Sequence, residues 1–301
     1  MRQKQDPEFL KNNLRISAHE YVKIHMIIMA RKYKFADIFY PKNKVLLENT
    51  VNTLIADAVV DPAVANAYSY VSPHAGYIYS GSVAACTYKA LSQNKHFSNI
   101  DTIIIIGPNH TGNGEDISVS MQDWETPLGI LKNNTTLSGL IAANGIKVDE
   151  SAHSDEHSIE VQLPFLNIIA PTKKFCFICM LDQSEESSIK LANSIISAVR
   201  KLNSNAVIVA SSDFDHYESR SEAARKDSLL IKSLSRLDYE SFNRSALELN
   251  DSACGIGPVM VALLFSKSMG AIKSLLLRYS DSGSVTKDYS SVVAYASLVF
   301  I

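Results

Sequence analysis

The stretch 101-DTIIIIGPNH-110 decides the fold of this chain. Four consecutive isoleucines that end at Gly-Pro are typical of a strand buried on both faces, because a strand with one face in water alternates apolar and polar residues. The stretch 206-AVIVASSDF-214 has the same character. Strands of this kind occur in parallel sheets whose two faces are covered by helices. The two stretches therefore predict an α/β fold.

The segments around these two strands support the same fold class. Helices are predicted at 45–60, 81–91, 137–143, 185–202, 222–235 and 258–267. Further strands are predicted at 67–71, 117–121, 174–181, 274–283 and 291–300. Strands and helices alternate without a linker, a repeat or a low-complexity stretch. This pattern predicts one domain with a central mixed, largely parallel sheet flanked by helices.

Residues 1–32 are expected to form an N-terminal extension outside the core, which leaves 33–301 as the domain. The extension is polar and then mixed, and it does not join the alternation of strands and helices. Two interpretations remain open. It is either an arm that binds a partner, or an addition without such a role, including a start site placed too early, since Met26 and Met29 follow.

Composition and charge exclude several classes of function. The chain has 301 residues, 29 basic and 31 acidic side chains and a net charge of −2, so nucleic-acid binding through phosphate neutralisation is not expected. No apolar run approaches the roughly 20 residues of a membrane span, and 1-MRQKQDPEFLKNN-13 lacks the apolar core of a signal peptide. Four cysteines in a chain of this length do not form a disulfide framework. We expect a cytoplasmic protein without membrane or nucleic-acid partners.

Three predicted strands end in polar clusters that contain a histidine. These clusters are 72-SPH-74, 107-GPNH-110 and 211-SSDFDH-216. A single histidine at a strand end is more often a turn residue than a ligand, but ligands bind α/β sheets beyond the carboxyl ends of their strands. Three such histidines favour a convergent site, and imidazole is a common ligand of zinc, iron and copper.

The segment 153-HSDEHSIEVQLPFL-166 offers a second group of polar residues. If it is helical, His153 and His157 share one face, as do Glu156 and Glu160. It does not match the HExxH zinc pattern, because the glutamate does not follow the first histidine directly. His157 stays open between a site residue and a structural one, whereas His153 is expected at the surface. Either glutamate would be stabilised at a helix N-terminus.

The cysteines differ in their surroundings. Cys176 and Cys179 lie three apart in a predicted strand, so their side chains point to opposite faces and are expected to be packing residues. Cys86 lies on a predicted helix face and is expected in the core. Cys254, in 252-SACGIGPVM-260, lies at the expected start of a helix, where the helix dipole lowers the pKa of a thiol. Cys254 is therefore a candidate nucleophile or metal ligand.

The chain resembles the Memo family, whose archaeal and bacterial members are often labelled protein B of the AmmeMemoRadiSam system. The matching motifs are FYP at 39–41, PHAGYIYSG at 73–81, GPNH at 107–110, WETPLG at 124–129, DEHSIEVQLPFL at 155–166, SSDFDHY at 211–217 and CGIGP at 254–258. The resemblance extends from about residue 33 to the C-terminus. One departure is 36-ADI-38, where family members typically have a glycine.

The resemblance implies a fold similar to class III extradiol dioxygenases, which hold non-haem iron with two histidines and a glutamate. His74 and His110 fall at the two histidine positions, and Cys254 stands where the dioxygenases have their carboxylate. Asp213 and His216 would line the same pocket. The implied cofactor is copper or iron. Because a thiolate changes the metal preference and redox chemistry, ring cleavage does not follow from the fold.

Three functions remain open. The first is a metal-binding, redox-active protein with His74, His110 and Cys254 as metal ligands. Its catalytic residues would be Asp213, His216 and His157. The second is a binding or adaptor protein with a vestigial enzyme pocket, in which tyrosines and Trp124 recognise a small molecule or peptide. The third is a thiol hydrolase with Cys254 as nucleophile, His216 as base and Asp213 as the residue that orients it. The resemblance also implies a radical-SAM protein as a partner.

Overall fold

The computed structural model describes residues 30–301, so most of the predicted N-terminal extension, including Met26 and Met29, lies outside the described residues. The described helices are α1 Lys44–Asp57, α2 Tyr77–Ser92, α3 Thr135–Ala143, α4 Ser151–Ser154, α5 Leu163–Ile169, α6 Glu185–Leu202, α7 Arg220–Ser235, α8 Tyr239–Glu248, α9 Ile256–Met269 and α10 Gly283–Thr286. The described strands are β1 Ser69–Ser72, β2 Thr102–Pro108, β3 Ile117–Val119, β4 Trp124–Thr126, β5 Gly129–Asn133, β6 Lys147–Val148, β7 Lys174–Met180, β8 Ala206–Ser211, β9 His216–Glu218, β10 Ser274–Asp281 and β11 Val292–Phe300. No helix within 30–301 has the length and apolar character needed to cross a membrane.

Eight of the described strands form the main path of one curled sheet, in the order β10-β11-β1-β8-β2-β7-β3-β6. Beside this path, β4 pairs with β5, β5 with β7, and β9 with β11. At its centre, β1, β8, β2 and β7 run parallel to one another. β11 joins β1 antiparallel, β10 joins β11 antiparallel, and β3 joins β7 antiparallel. The predicted fold class, a single α/β domain with a central mixed, largely parallel sheet flanked by helices, is confirmed.

The isoleucine run of β2 explains why helices cover both faces of the sheet. Ile103 and Ile105 belong to one hydrophobic cluster, which also contains side chains of α2 and α5. Ile104 and Ile106 belong to the other, which contains side chains of α6 and α9. All four are fully buried. Since successive side chains of a strand point to opposite faces, the run packs both layers at once.

The three cysteines expected to be packing residues are buried. Cys86 lies in the cluster of α2, and Cys176 lies in the cluster on the opposite face. Cys179 is fully buried, with its Sγ 3.5 Å from the carbonyl oxygen of Pro108. All three thiols lie in the protein interior, as expected for packing residues.

The segment from His153 to Leu166 differs from its prediction. It contains the short helix α4, a 3₁₀ turn at Glu160–Gln162 and then α5. Pro164 lies in the first turn of α5, where a proline is tolerated because its missing amide proton has no acceptor within the helix. The prediction of a surface position for His153 is wrong: its side chain is fully buried, edge-on to Trp124 at a centroid distance of 5.6 Å. The chain turns between His153 and His157, so the two do not share a helical face.

Candidate metal centre

Two parallel strands of the central sheet carry two of the predicted histidines to one edge of the sheet. β8 lies between β1 and β2, with Ser72 in register with Ser211 and Ile106 in register with Ala210. His74 follows β1 by two residues and His110 follows β2 by two residues. Since the carboxyl ends of parallel strands meet at one edge, the two imidazoles converge there.

A third histidine completes a compact cluster. One ring nitrogen each from His74, His110 and His157 lies within 4.8 Å of the others, a spacing that can hold a metal ion. The ring centroid of His74 lies 5.3 Å from that of His110 and 5.4 Å from that of His157. The ring centroids of His110 and His157 lie 4.7 Å apart. His157 comes from the loop between α4 and the 3₁₀ turn, a position that the helical interpretation of this segment did not reveal.

Glu156 orients the side of the cluster formed by His110. Its Oε2 accepts a hydrogen bond from the His110 amide at 2.6 Å, and its Oε1 lies 2.9 Å from His110 Nδ1 and 3.4 Å from His157 Nδ1. Burial raises the pKa of Glu156, but hydrogen bonds from His110 and from the Ser158 amide outweigh it and hold the pKa at about 2. The sequence suggested a helix-terminus role for this carboxylate. It is instead an ionised group behind two imidazoles, which is how metal-binding histidines are commonly held.

Burial keeps two imidazoles of the cluster neutral. It lowers the pKa of His74 well below its usual value, with the neighbouring histidines adding to the effect, and it lowers the pKa of His157 to about 4. A neutral imidazole offers a lone pair to a metal ion, whereas a protonated one does not. Near neutral pH these two rings can therefore bind a metal ion without first losing a proton.

Cys254 lies beside this cluster and contacts one of its members. Its Sγ is 3.2 Å from His74 Nε2 and accepts a hydrogen bond from the Asp213 amide at 3.2 Å. The expectation that a helix dipole lowers the thiol pKa is wrong for this site: burial, and then the nearby Asp213, raise the pKa of Cys254 well above its usual value. The thiol is thus protonated at neutral pH, which makes it a poor nucleophile.

The position of Cys254 depends on a close approach by Gly255. A Cβ added at Gly255 would lie 2.4 Å from the Ser211 carbonyl oxygen and 2.6 Å from Ser212 Cβ. The Gly255 amide donates to Ser212 Oγ at 3.0 Å. The start of α9 therefore rests directly on the end of β8, and no side chain fits between them.

We expect Gly255→Ala to lower the free energy of unfolding by about 1–3 kcal/mol, because the backbone of two packed elements must separate. Urea denaturation followed by circular dichroism measures this change. Gly139→Ala in α3 is the matched control. No atom lies within 4 Å of its added Cβ, so it is expected to raise stability by about 0.5–1 kcal/mol. Equal effects of the two substitutions would contradict the packing argument.

Asp213 and His216 do not form the hydrogen bond that a hydrolase arrangement would use. Asp213 Oδ1 accepts from the His74 amide at 2.7 Å, and burial raises the pKa of Asp213 to about 7. His216 donates its amide to Asp215 and Ser252, while its buried Nδ1 has no hydrogen-bond partner in residues 30–301. Burial lowers the pKa of His216. Asp213 therefore supports the backbone that carries His74.

Two phenylalanines form a wall behind His157. The ring of Phe39 stacks on His157 at a centroid distance of 4.6 Å, and the ring of Phe35 lies 5.6 Å away. Phe39 is part of the FYP motif, to which the sequence assigned no role. A wall of this kind restricts access of water to one side of the cluster.

Trp124 cannot serve as a recognition surface. Its side chain is fully buried, stacks on Phe177 at 4.7 Å and lies beneath the Arg31 guanidinium at 4.1 Å. The binding-module hypothesis thus loses Trp124 and keeps only the tyrosines as its recognition residues. The WETPLG motif contributes to packing.

Comparison with known proteins places the chain in a family. A family model described as "Memo-like protein" matches residues 31–299. The chain belongs to the Memo family. A MEMO1 family protein of Methanococcus maripaludis strain C5 is 44% identical over 235 residues, which cover 76% of this chain and 82% of the relative. A MEMO1 family protein of Nitrosopumilus maritimus is 39% identical over 281 residues, which cover 91% of this chain and 100% of the relative. The resemblance inferred from the motifs is confirmed.

The Memo motifs surround the histidine cluster. PHAGYIYSG carries His74, GPNH carries His110, DEHSIEVQLPFL carries His157, and CGIGP carries Cys254. This Memo-family protein therefore has a group of three histidines that could hold a metal ion, of which His74 is buried, His157 half-buried and His110 exposed. A thiol contacts His74.

Proposed function

We propose that this Memo-family protein binds one copper or iron ion through His74, His110 and Cys254 and performs oxidative chemistry on a small molecule or peptide. The observation that carries the proposal is the 3.2 Å contact between Cys254 Sγ and His74 Nε2, beside a cluster in which one ring nitrogen each of His74, His110 and His157 lie within 4.8 Å of one another. Two imidazoles and a thiolate suit copper and iron better than magnesium or calcium, which prefer oxygen ligands.

The donors fit a bound metal ion. The Nδ1 of His74 and the Nδ1 of His110 are occupied by hydrogen bonds with Ser211 and Glu156, which leaves each Nε2 as the ligand atom. The ionised Glu156 supplies negative charge that complements a cation. Bound copper or iron would supply the electron-transfer and oxygen chemistry that amino-acid side chains lack.

The remaining polar residues would serve substrate binding and proton transfer. His216 has an unpartnered Nδ1 that can accept or donate a proton, and His157 presents its ring between the cluster and the Phe39 wall. Asp213, with a pKa of about 7, would hold the His74 backbone and exchange a proton near neutral pH. The Asp213 carboxyl accepts a hydrogen bond from the His74 amide, and burial raises the pKa of the Cys254 thiol well above its usual value, so the hydrolase alternative lacks support.

Elemental analysis of protein loaded under anaerobic conditions tests the proposal. Wild-type protein is expected to hold about one Cu(I) or Fe(II) per chain, since these ligands make a single site. Cys254→Ser and His110→Ala are expected to lose most of this metal. Cys86→Ser is the matched control, because Cys86 is a buried thiol outside the cluster whose Sγ donates to the Ser82 carbonyl oxygen at 3.6 Å. Wild-type metal content in both site variants would overturn the ligand assignment.

A further inference from the structure

A hydrogen-bond chain leads from the protein core to His74. Tyr88 donates its hydroxyl proton to Gln162 Oε1 at 2.5 Å, and Gln162 Nε2 donates to Ser211 Oγ at 2.8 Å. Ser211 Oγ also lies 2.8 Å from His74 Nδ1 and donates to the Ser158 carbonyl at 2.7 Å. All of these side chains are at most 2% exposed, so water does not substitute for their partners.

The orientation of the Gln162 amide follows from its neighbours. Its Nε2 lies 2.9 Å from the Pro73 carbonyl oxygen, which can only accept a hydrogen bond. Its Oε1 faces Tyr88, whose hydroxyl stays protonated because burial raises its pKa. The flipped amide would place two acceptors against each other at Pro73. Gln162 is therefore a donor to Ser211.

The proton count at Ser211 then determines the state of His74. A hydroxyl has one proton and two acceptor lone pairs. The Ser158 carbonyl can only accept, so it takes the Ser211 proton, and the Gln162 amide can only donate, so it occupies one lone pair. The remaining lone pair faces His74 Nδ1 at 2.8 Å, and a hydrogen bond there requires that Nδ1 carry the proton.

We propose that Tyr88, Gln162 and Ser211 form a positioning chain that locks His74 in its Nδ1–H tautomer and presents an unprotonated Nε2 to the site. The 3.2 Å contact between Cys254 Sγ and His74 Nε2 is compatible with this tautomer, because an unprotonated Nε2 can accept a hydrogen bond there. These three residues act through His74 and touch no substrate.

The inference about the tautomer stands without a metal, and only its consequence for affinity rests on the proposed function. When Nε2 already carries a lone pair, binding of a metal ion at His74 needs no proton shift within the ring. Loss of an outer hydrogen-bond partner of a metal-binding histidine typically lowers metal affinity by about 10–100-fold. We expect a loss in this range when Ser211 is replaced by alanine.

Nuclear magnetic resonance of metal-free, ¹⁵N-labelled protein tests the tautomer. Long-range ¹H–¹⁵N correlations show which ring nitrogen carries the proton, and a His74→Gln variant identifies the signals of His74. In the wild type we expect a protonated Nδ1 and an unprotonated Nε2. A protonated Nε2 in the wild type would overturn the proposal. This measurement needs no substitution of Tyr88, Gln162 or Ser211.

The Ser211→Ala variant separates the tautomer from general packing. It is expected to shift His74 toward the Nε2–H form and to weaken metal binding by the stated factor. Ser266→Ala is the matched control, since Ser266 is a buried serine whose Oγ bonds Ser69 Oγ at 2.8 Å at the other end of β1. The control is expected to keep both the tautomer and the affinity. An unchanged His74 tautomer in Ser211→Ala would contradict the proposal that Tyr88, Gln162 and Ser211 set this tautomer. If wild-type protein binds no metal, the proposed function fails while the tautomer result stands.

Discussion

Glu160→Ala is expected to lower the free energy of unfolding by about 3–5 kcal/mol, because it removes one partner of a buried ion pair. Glu160 Oε2 lies 2.6 Å from Arg31 Nη1, and the two side chains are 0% and 5% exposed. Without its carboxylate, the guanidinium stays buried and charged. Its other bonds, to the carbonyl oxygens of His153 and Glu156, do not neutralise it.

The same carboxylate also holds the segment that leads to the aromatic wall. Glu160 Oε1 accepts from the amides of Lys34 and Phe35 at 3.0 and 2.8 Å and from the Tyr40 hydroxyl at 2.7 Å. These donors lose their acceptor together, which adds to the cost of the substitution. Phe35 is one of these donors and Phe39 directly precedes Tyr40, and both rings lie against His157, so we also expect the wall to loosen.

Urea denaturation measures the effect of Glu160→Ala, with fluorescence of the single tryptophan, Trp124, as a local probe beneath Arg31. Glu160→Gln keeps an acceptor oxygen without the charge, so its loss of stability is expected to be smaller. Glu222→Ala is the control for an exposed pair, since Glu222 and Arg225 both face solvent, and little change is expected there. If Glu160→Ala unfolds at the wild-type midpoint, the ion pair does not stabilise the fold.

The parts of the fold that could be predicted are those encoded by a pattern within one short stretch of sequence. The four isoleucines of β2 supply the apolar surface for both faces of the sheet, and this double burial is visible in the sequence itself. The antiparallel addition of β10 and β11, and of β3 beside β7, was not predictable in detail. Such pairings are set by contacts between distant segments, and a strand pattern does not name its partner.

The site was predictable in part for the same reason. His74 and His110 follow buried parallel strands, so topology alone brings them to one edge. Glu156 and Glu160 gave no such signal, because their partners lie 46 and 129 residues away in the chain. The sign of the Cys254 pKa shift was also missed. A helix dipole is a local property, whereas burial, the larger effect here, arises from tertiary packing.

The metal affinity of the wild-type protein is expected to rise about tenfold per pH unit between about pH 6 and 8, because a metal ion that binds the thiolate releases one proton. Burial raises the pKa of Cys254 well above its usual value, so the thiol is protonated throughout this range. Each rise of one pH unit therefore increases the fraction of thiolate, and with it the apparent metal affinity, about tenfold. His74 and His157 release no proton here, since burial lowers the pKa of both.

Competition with a chelator of known affinity, repeated at several pH values, measures this slope and decides which third ligand completes the site. If Cys254 is the ligand, Cys254→Ser loses the slope, whereas His157→Asn keeps it. If His157 is the ligand, the wild type already lacks the thiol slope.

Asp213, with a pKa of about 7, also titrates in this range, and Asp213→Asn removes that contribution while keeping an acceptor for the His74 amide. A slope that persists in Asp213→Asn and disappears in Cys254→Ser assigns the released proton to the thiol. A slope that persists in Cys254→Ser would remove Cys254 from the ligand set.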